Sequence, residues 1–220
     1  MKTATAPTAL AIFDAVLGKA GAGQPAVLTL TDDHGRDHRV DAAAWCRDQL
    51  PGDRGLIARC VGPTLDVGCG PGRLTSALNR RGHPALGIDV SAAAIGLAHA
   101  RGAVALRRDV FGPLPGQGRW RHVLLADGNV GIGGDPVMLF RRCRELLHAD
   151  GRLHVELAPP GTRSWSGEAR IGDGAGLAPA PFRWGQLAAG DLAAIADASA
   201  LRILTEWTEA NRWFATLARH

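Results

Sequence analysis

The feature that most constrains the fold is the segment 64–91, TLDVGCGPGRLTSALNRRGHPALGIDVS. Four residues of strand character run into a cluster of three glycines. A helical segment follows, and a second apolar run ends on Asp89. The alternation continues beyond it, with strands expected at 64–67, 85–88, 103–107, 122–126 and 152–157 and helices at 73–80, 92–100 and 136–148. Each strand is too short and apolar to face water on either side, so helices must cover both faces of a parallel sheet. Right-handed crossovers then carry every strand C-terminus to one edge of that sheet, where ligands bind. Gly68, Gly70, Gly72 and Asp89 all fall on that edge.

The flanks complete the architecture. LRILTEWT and RWFATLAR read as an antiparallel hairpin around Glu209-Ala210-Asn211. The expected fold is α/β: a doubly wound, mostly parallel seven-stranded sheet with an antiparallel C-terminal edge hairpin and a small N-terminal helix/hairpin extension. In that extension Thr8 caps a helix carrying Ile12, Phe13, Val16 and Leu17. Two short strands then turn at Asp33-His34-Gly35, and a helix runs from Asp41 to Pro51. The division is an extension or lid at 1–60 and a main domain at 61–220. An insertion at 160–187, rich in Gly, Pro and Trp, reads as a long loop with one extra strand at 168–171. Loops of that length in compact domains are usually functional. Asp191 is expected to cap the helix after it.

Composition excludes several classes. With 46% hydrophobic and 21% charged residues among 220, a sizeable core is available. Lysine occurs only at Lys2 and Lys19, and the net charge is +4. The scattered arginines read as the codon bias of a GC-rich bacterial genome. They lack the clustering with aromatics that a nucleic-acid surface needs. Cys46, Cys60, Cys69 and Cys143 show no metal-ligand spacing, and in a chain with its own core the default is reduced cytosolic thiols. No run of about 18 apolar residues suggests a membrane span. A cytoplasmic protein with no nucleic-acid or membrane partner and no metal, monomer or homodimer, is the expectation.

The glycine loop allows a sharp turn and close approach of a ligand to backbone. The helix opening at Arg73 offers free N–H groups, and the two oxygens of Asp89 can accept from both hydroxyls of a ribose. These features point to an adenosine-containing ligand. Dinucleotide sites use G-x-G-x-x-G, with the third glycine in close helix packing. Here that position holds Arg73, which as a first-turn residue is expected to face solvent. The further carboxylates at this edge suit a cationic ligand instead: Asp66 before the loop and Asp127 after the fourth strand. Asp109 is positioned to accept from an exocyclic adenine amine, with the Val110 amide for a ring nitrogen.

With these pieces in order, residues 61–159 resemble a class I S-adenosylmethionine-dependent methyltransferase. LDVGCGPGRL is similar to the family's first motif, GIDVS to the second, RRDVF to the third and HVLLADGN to the fourth. The resemblance implies a Rossmann-like fold with S-adenosylmethionine as cofactor. It implies that Gly68, Cys69, Gly70 and Gly72 line the methionine and adenosine, with Asp66 near the amino group. Asp89 with Val90 would lie at the ribose, and Asp109 with Val110 at the adenine. Asp127 contacts the cofactor either through its side chain or only through its backbone. Asp66 and Asp89 have the alternative role of capping helices, and Cys69 that of a small apolar filler.

The acceptor side is read from chemistry alone. Methyl transfer is an in-line displacement that needs positioning and, for a protonated nucleophile, a general base. Glu156 near the end of the fifth strand is a candidate base, with a buried, backbone-bonded carboxylate as the alternative. His34 and His38 in the N-terminal hairpin qualify only if that hairpin folds over the site, and His34 is carried as the second catalytic candidate. His154 reads as a core histidine. Asn129 and the glycines after it shape the floor, while Trp165 and Trp184 either wall an organic substrate or anchor their loop. The function expected is methyl transfer to an O, N or C atom of a small organic molecule, of the kind met in secondary metabolism. A nicotinamide-dependent oxidoreductase and a non-catalytic adenosyl-binding module are the alternatives.

Overall fold

The computed structural model describes residues 7–174, 176 and 178–220; residues 1–6, Ala175 and Leu177, the last two in the expected insertion, lie outside the described set. The elements are α1 (Ala9–Gly21), β1 (Val27–Thr31), β2 (Asp37–Asp41), α2 (Ala42–Trp45), α3 (Asp53–Ala58), β3 (Thr64–Val67), α4 (Arg73–Arg80), β4 (Ala85–Asp89), α5 (Ala92–Ala100) and β5 (Ala105–Arg107). They continue with β6 (Trp120–Leu125), a 3-10 segment (Asn129–Gly134), α6 (Pro136–Leu146), β7 (Leu147–Leu157), β8 (Trp165–Gly172), β9 (Ala180–Gln186), α7 (Leu192–Ala198), β10 (Leu201–Glu209) and β11 (Arg212–Arg219).

Seven strands form the main sheet in the order β10-β11-β7-β6-β3-β4-β5. The pairs from β7 to β5 are parallel, whereas β11 runs antiparallel to both β7 and β10. This is the expected doubly wound sheet with its antiparallel edge. Strand β6 shows how both faces are covered. Val123 and Leu125 point into a core with Leu139, Phe140 and Cys143 of α6. Leu124, the alternate residue, packs with Leu74 and Leu78 of α4 and with Leu56 and Ile57 of α3. The hairpin between β10 and β11 turns on Ala210 and Asn211, both left-handed, the conformation of a two-residue hairpin turn.

The insertion departs from expectation. Beyond a single short strand, 165–186 contains the hairpin β8–β9, and β8 pairs with β1 to make a second, four-stranded antiparallel sheet in the order β2-β1-β8-β9. Leu30 and Ile171, 141 residues apart, are partners across it. Residues 1–60 divide accordingly. β1 and β2 belong to the second sheet, and α1 buries Ile12 and Val16 against Leu28, Ile171 and Ala180. α3 instead packs on α4 in the main core.

Three smaller differences have local causes. The helix expected at 41–50 is a single turn capped by the Asp41 carboxylate, and α3 starts only after Gly52 in the left-handed conformation. α6 ends at Leu146, so His148 lies in β7. Asp191 accepts a hydrogen bond from the Ser164 hydroxyl at 2.5 Å instead of capping α7 with its side chain.

Candidate functional site

The C-terminal edge of the main sheet and one face of the four-stranded sheet enclose a cavity of about 750 Å³. That volume falls within the range of small-molecule sites. β3 delivers the chain into the glycine loop at its floor. Gly70 is left-handed, and the position a Cβ would take there meets no atom within 4 Å, so the loop backbone is bare towards the cavity. Gly68 also lines the space, packed so tightly on Asn129 that a Cβ would lie 2.7 Å from its Nδ2. Gly72 does not line it. A Cβ there would come within 2.8 Å of Ala98, so this glycine lets α4 pack against α5. Cys69 is buried against Gly87 and Ile95, and burial pushes its thiol far up, leaving a small apolar filler at the cavity wall.

Asp89 ends β4 with 8% of its surface exposed. Its Oδ2 accepts the Gly70 N–H at 3.0 Å and its Oδ1 accepts the Ser91 N–H at 2.9 Å. One carboxylate thus closes the glycine loop and starts α5, and each oxygen retains lone-pair capacity for a ligand. Burial raises its pKa against those backbone bonds. Val90 lies beside it, half-exposed on the cavity wall. Asp109 is exposed at the far end and accepts the Phe111 N–H at 2.9 Å, while Val110 is buried next to it. Asp66 is 2% exposed, and its Oδ2 accepts from the Thr75 hydroxyl at 2.6 Å. Burial pushes its pKa up to about 6, opposed by the Thr75 bond and supported by the Asp127 charge.

Arg73 corrects the sequence reading. It is 3% exposed, not solvent-facing, and forms ion pairs with Asp53 and with Asp127, the latter at 2.5 Å. Burial alone would lower its pKa, but the Asp127 and Asp53 carboxylates hold it above the ordinary value. Arg212 of β11 completes the cluster. Its Nη1 donates to Asp53 at 2.9 Å, its Nη2 to Asp127 at 3.1 Å, and its Nε and Nη2 grip the two oxygens of Glu156 at 2.7 Å. Glu156 also accepts the Asp127 N–H at 2.6 Å, with Asp127 in a left-handed conformation that aspartate tolerates. The candidate base is therefore engaged by a guanidinium as well as by a backbone amide, and it is only partly buried. Three carboxylates face two guanidiniums, leaving one excess negative charge beside Asp66.

Asn129 braces the end of β3 by donating to the Val67 and Gly68 carbonyls at 3.0 and 2.8 Å. Next to it the 3-10 segment touches β9 so closely that a Cβ on Gly131 would lie 2.0 Å from the Gly185 carbonyl oxygen. Trp165 and Trp184 both line the cavity, together with Phe182. His34 does not reach it and stays exposed in the β1–β2 turn, whereas His38 lines it. His154 lies away from the site. Its Nδ1 bonds Thr216 at 2.9 Å and its Nε2 bonds His122 at 3.0 Å, and burial drives its pKa down to about 3. Cys60 lies close to this His122–His154 pair.

Sequence reasoning missed the Asp53–Arg73–Asp127–Arg212–Glu156 cluster because its members are far apart along the chain, and Asp53 and Arg212 sit in no motif. His38 had a readable signal, since it alternates with Val40 on a half-buried strand.

Residues 64–151 match the family described as a methyltransferase domain. The sheet order and the glycine–aspartate edge are those of the class I, Rossmann-like methyltransferase fold, which the solved structures share. Among solved structures, a SAM-dependent methyltransferase from Bacteroides fragilis in complex with S-adenosyl-L-homocysteine is similar over 100% of this chain and 99% of its own, at 21% identity and a TM-score of 0.77. The 1,6-didemethyltoxoflavin-N1-methyltransferase of Burkholderia thailandensis, with bound 1,6-didemethyltoxoflavin and S-adenosylhomocysteine, is similar over 99% of this chain and 93% of its own, at 16% identity and a TM-score of 0.60. The CcbJ methyltransferase of Streptomyces caelestis is similar over 78% and 94%, at 16% identity and a TM-score of 0.60. No curated protein matches the chain. No helix among the described residues is long and apolar enough to cross a membrane.

The cofactor fits the residues present. The bare backbone at Gly70 leaves room for it, Asp89 offers two acceptor oxygens, and the surplus of carboxylates around Asp66 and Asp127 suits a ligand whose sulfonium and ammonium are cationic.

Proposed function

We propose that this methyltransferase acts on a small, largely apolar organic molecule, of the kind found in secondary metabolism, held between the main sheet and the four-stranded sheet. The observation that carries the reading is the shape of the cavity. Its floor is the polar glycine–aspartate edge, and its roof is the apolar face of a sheet built from β1, β2, β8 and β9. A module that only bound an adenosyl ligand would need no apolar space beyond the cofactor's own volume. The 1,6-didemethyltoxoflavin bound in the Burkholderia enzyme is a precedent for a small acceptor in this fold.

When bound, S-adenosylmethionine supplies an electrophilic methyl group on a positively charged sulfur. Asp89 would accept from the ribose hydroxyls, Asp66 would neutralise the amino group, and Asp109 with the Val110 amide would take the adenine. Asp127 contributes its charge and backbone while its carboxylate stays tied to Arg73 and Arg212. Glu156 holds that tie in place and is not available as a base. The four-stranded sheet is the lid. It excludes water and lays the acceptor across the methyl with Trp165, Trp184 and Phe182, so that positioning supplies much of the rate.

Calorimetry with S-adenosylhomocysteine tests the cofactor half, and a folded protein that releases no heat would sink the reading. Mass spectrometry of a panel of aromatic phenols, amines and azoles incubated with S-adenosylmethionine tests the acceptor half. A gain of one methyl on a member of the panel is the expected result.

A further inference from the structure

On β1, β2 and β8 the inner face of the four-stranded sheet is sorted by alternation. Leu28 and Leu30 of β1, Val40 of β2, Ile171 of β8 and Phe182 of β9 line the cavity, while Thr29, Arg39, Glu168 and Arg170 alternate onto the other side. His38, the cross-strand partner of Leu30, is the one titratable residue of β1, β2 and β8 that lines the cavity among the described residues; on β9 Arg183 lines it too, with its Nε donating to the Gly133 carbonyl at 3.1 Å.

It does not stand alone. Its Nε2 lies 3.1 Å from Oδ2 of Asp32, at the start of the β1–β2 turn. Asp32 is 7% exposed, and its Oδ1 accepts the N–H groups of His34 and Arg36, both at 2.9 Å. The Arg36 N–H, with the His38 ring, holds the Asp32 carboxyl down at about 2, so it is an anion throughout the physiological range. An anion there fixes the tautomer, with the proton on Nε2 and the lone pair on Nδ1, which has no protein partner among the described residues. The ring stacks on Trp165, with centroids 6.4 Å apart and planes at 20°. Among the other charged groups of this turn, Asp33 accepts from Arg163, which precedes β8, at 3.0 Å through both oxygens, and Asp37 accepts the Thr31 hydroxyl at 2.7 Å.

We propose that His38 is the proton acceptor for the methyl acceptor, and that the acceptor is a planar aromatic molecule whose reacting atom is an acidic O–H or ring N–H. Asp32 is the positioning residue that aims the imidazole. The assignment rests on the methyl-transfer reading given above. In the step, the acceptor's O–H or N–H bond breaks and its proton passes to Nδ1. The electron pair left behind forms the new bond to the methyl carbon, and the pair of the broken carbon–sulfur bond stays on sulfur. The imidazolium so formed is neutralised by Asp32 and returns its proton to water at the ring's exposed edge, the side chain being 39% exposed.

The test uses 4-nitrophenol, whose phenolate absorbs where the phenol does not, bound to the full-length protein saturated with S-adenosylhomocysteine. In mildly acidic buffer, where the free probe is mostly neutral phenol, the wild-type complex should show the bound phenolate band. His38→Gln should reduce the phenolate fraction about tenfold, the effect of losing one charge-assisted hydrogen bond. Its affinity for S-adenosylhomocysteine should be unchanged. Asp32→Asn should move the ionisation of the bound probe to higher pH, a shift that a merely structural role would not produce. A band that survives His38→Gln overturns the proposal, as does a wild-type complex that holds the probe only as neutral phenol or does not bind it. Failure of S-adenosylhomocysteine to bind wild type would instead remove the methyltransferase reading and this assignment with it.

Discussion

Replacing Asp66 with asparagine should make the empty protein more stable and the loaded one weaker. Burial raises the Asp66 pKa from 3.8 to about 6, so the folded chain holds this proton more tightly than the unfolded chain does. That contribution to stability is complete below pH 3.8 and is lost as pH rises through about 6. Ionising the group inside the fold therefore costs about 3 kcal/mol by neutral pH, at about 1.4 kcal/mol per tenfold. Asparagine carries no charge and can still accept the Thr75 hydroxyl through its Oδ1. Ligand-free Asp66→Asn should match wild type in acid and gain stability through the window from 3.8 to about 6. At about pH 8 it should melt roughly 6–12 °C higher, from about 2–4 °C per kcal/mol for a chain of this size. Calorimetric melts across a pH series measure it directly. The same change removes the anion proposed to face the cofactor's amino group, so affinity for S-adenosylhomocysteine should fall by about 1.5–3 kcal/mol. In wild type that affinity should decline below about pH 6, as Asp66 takes up its proton. An Asp66→Asn protein that melts no higher than wild type at alkaline pH would refute the reasoning.

Other perturbations separate the parts of the site. Asp89→Ala should weaken S-adenosylhomocysteine binding by about 1.5–3 kcal/mol, read by titration calorimetry, because it removes the proposed ribose acceptor and releases the Gly70 N–H. Gly70→Val should abolish that binding while circular dichroism stays native, since the new side chain projects into empty cavity and its left-handed backbone costs only about 1–2 kcal/mol. Arg73→Met should destabilise the fold by about 3 kcal/mol, the lower end for breaking a buried pair, because Asp53 and Asp127 each keep a bond to Arg212. Urea unfolding checks it, and a loss under 1 kcal/mol would mean the cluster relaxes into solvent.

The main sheet was legible because its signals are local. Each strand from Thr64 to Leu157 is bounded by glycine, proline or a helix cap, and the loop with Asp89 fixes which edge is functional. The second sheet was harder to read. WSGEARIG does alternate, with Trp165, Ala169 and Ile171 inward and Ser166, Glu168 and Arg170 outward, but the surrounding Gly and Pro content suggested a loop. Nothing near Leu30 in sequence announces its pairing with Ile171. The charge cluster failed for a different reason. A first-turn arginine is ordinarily solvated, and Arg73 is buried only because α3 brings Asp53 and the end of β6 brings Asp127 to it. Pairing set by tertiary contact leaves no periodicity to read.

The joining of β1 to β8 also fixes an order of assembly. A chain emerging from the ribosome completes the β1–β2 ribbon early, yet the bonding edge of β1 stays bare until residue 171 has been made. The finished sheet has only β2 and β9 at its margins, guarded by Asp37, Arg39 and Asp41 on one side and by Pro181 on the other. The nascent ribbon has no such guard on its β1 side. Self-association of a growing polypeptide would therefore start there, and shortening the delay, by permuting the gene so that β8 directly follows the first hairpin, would suppress it.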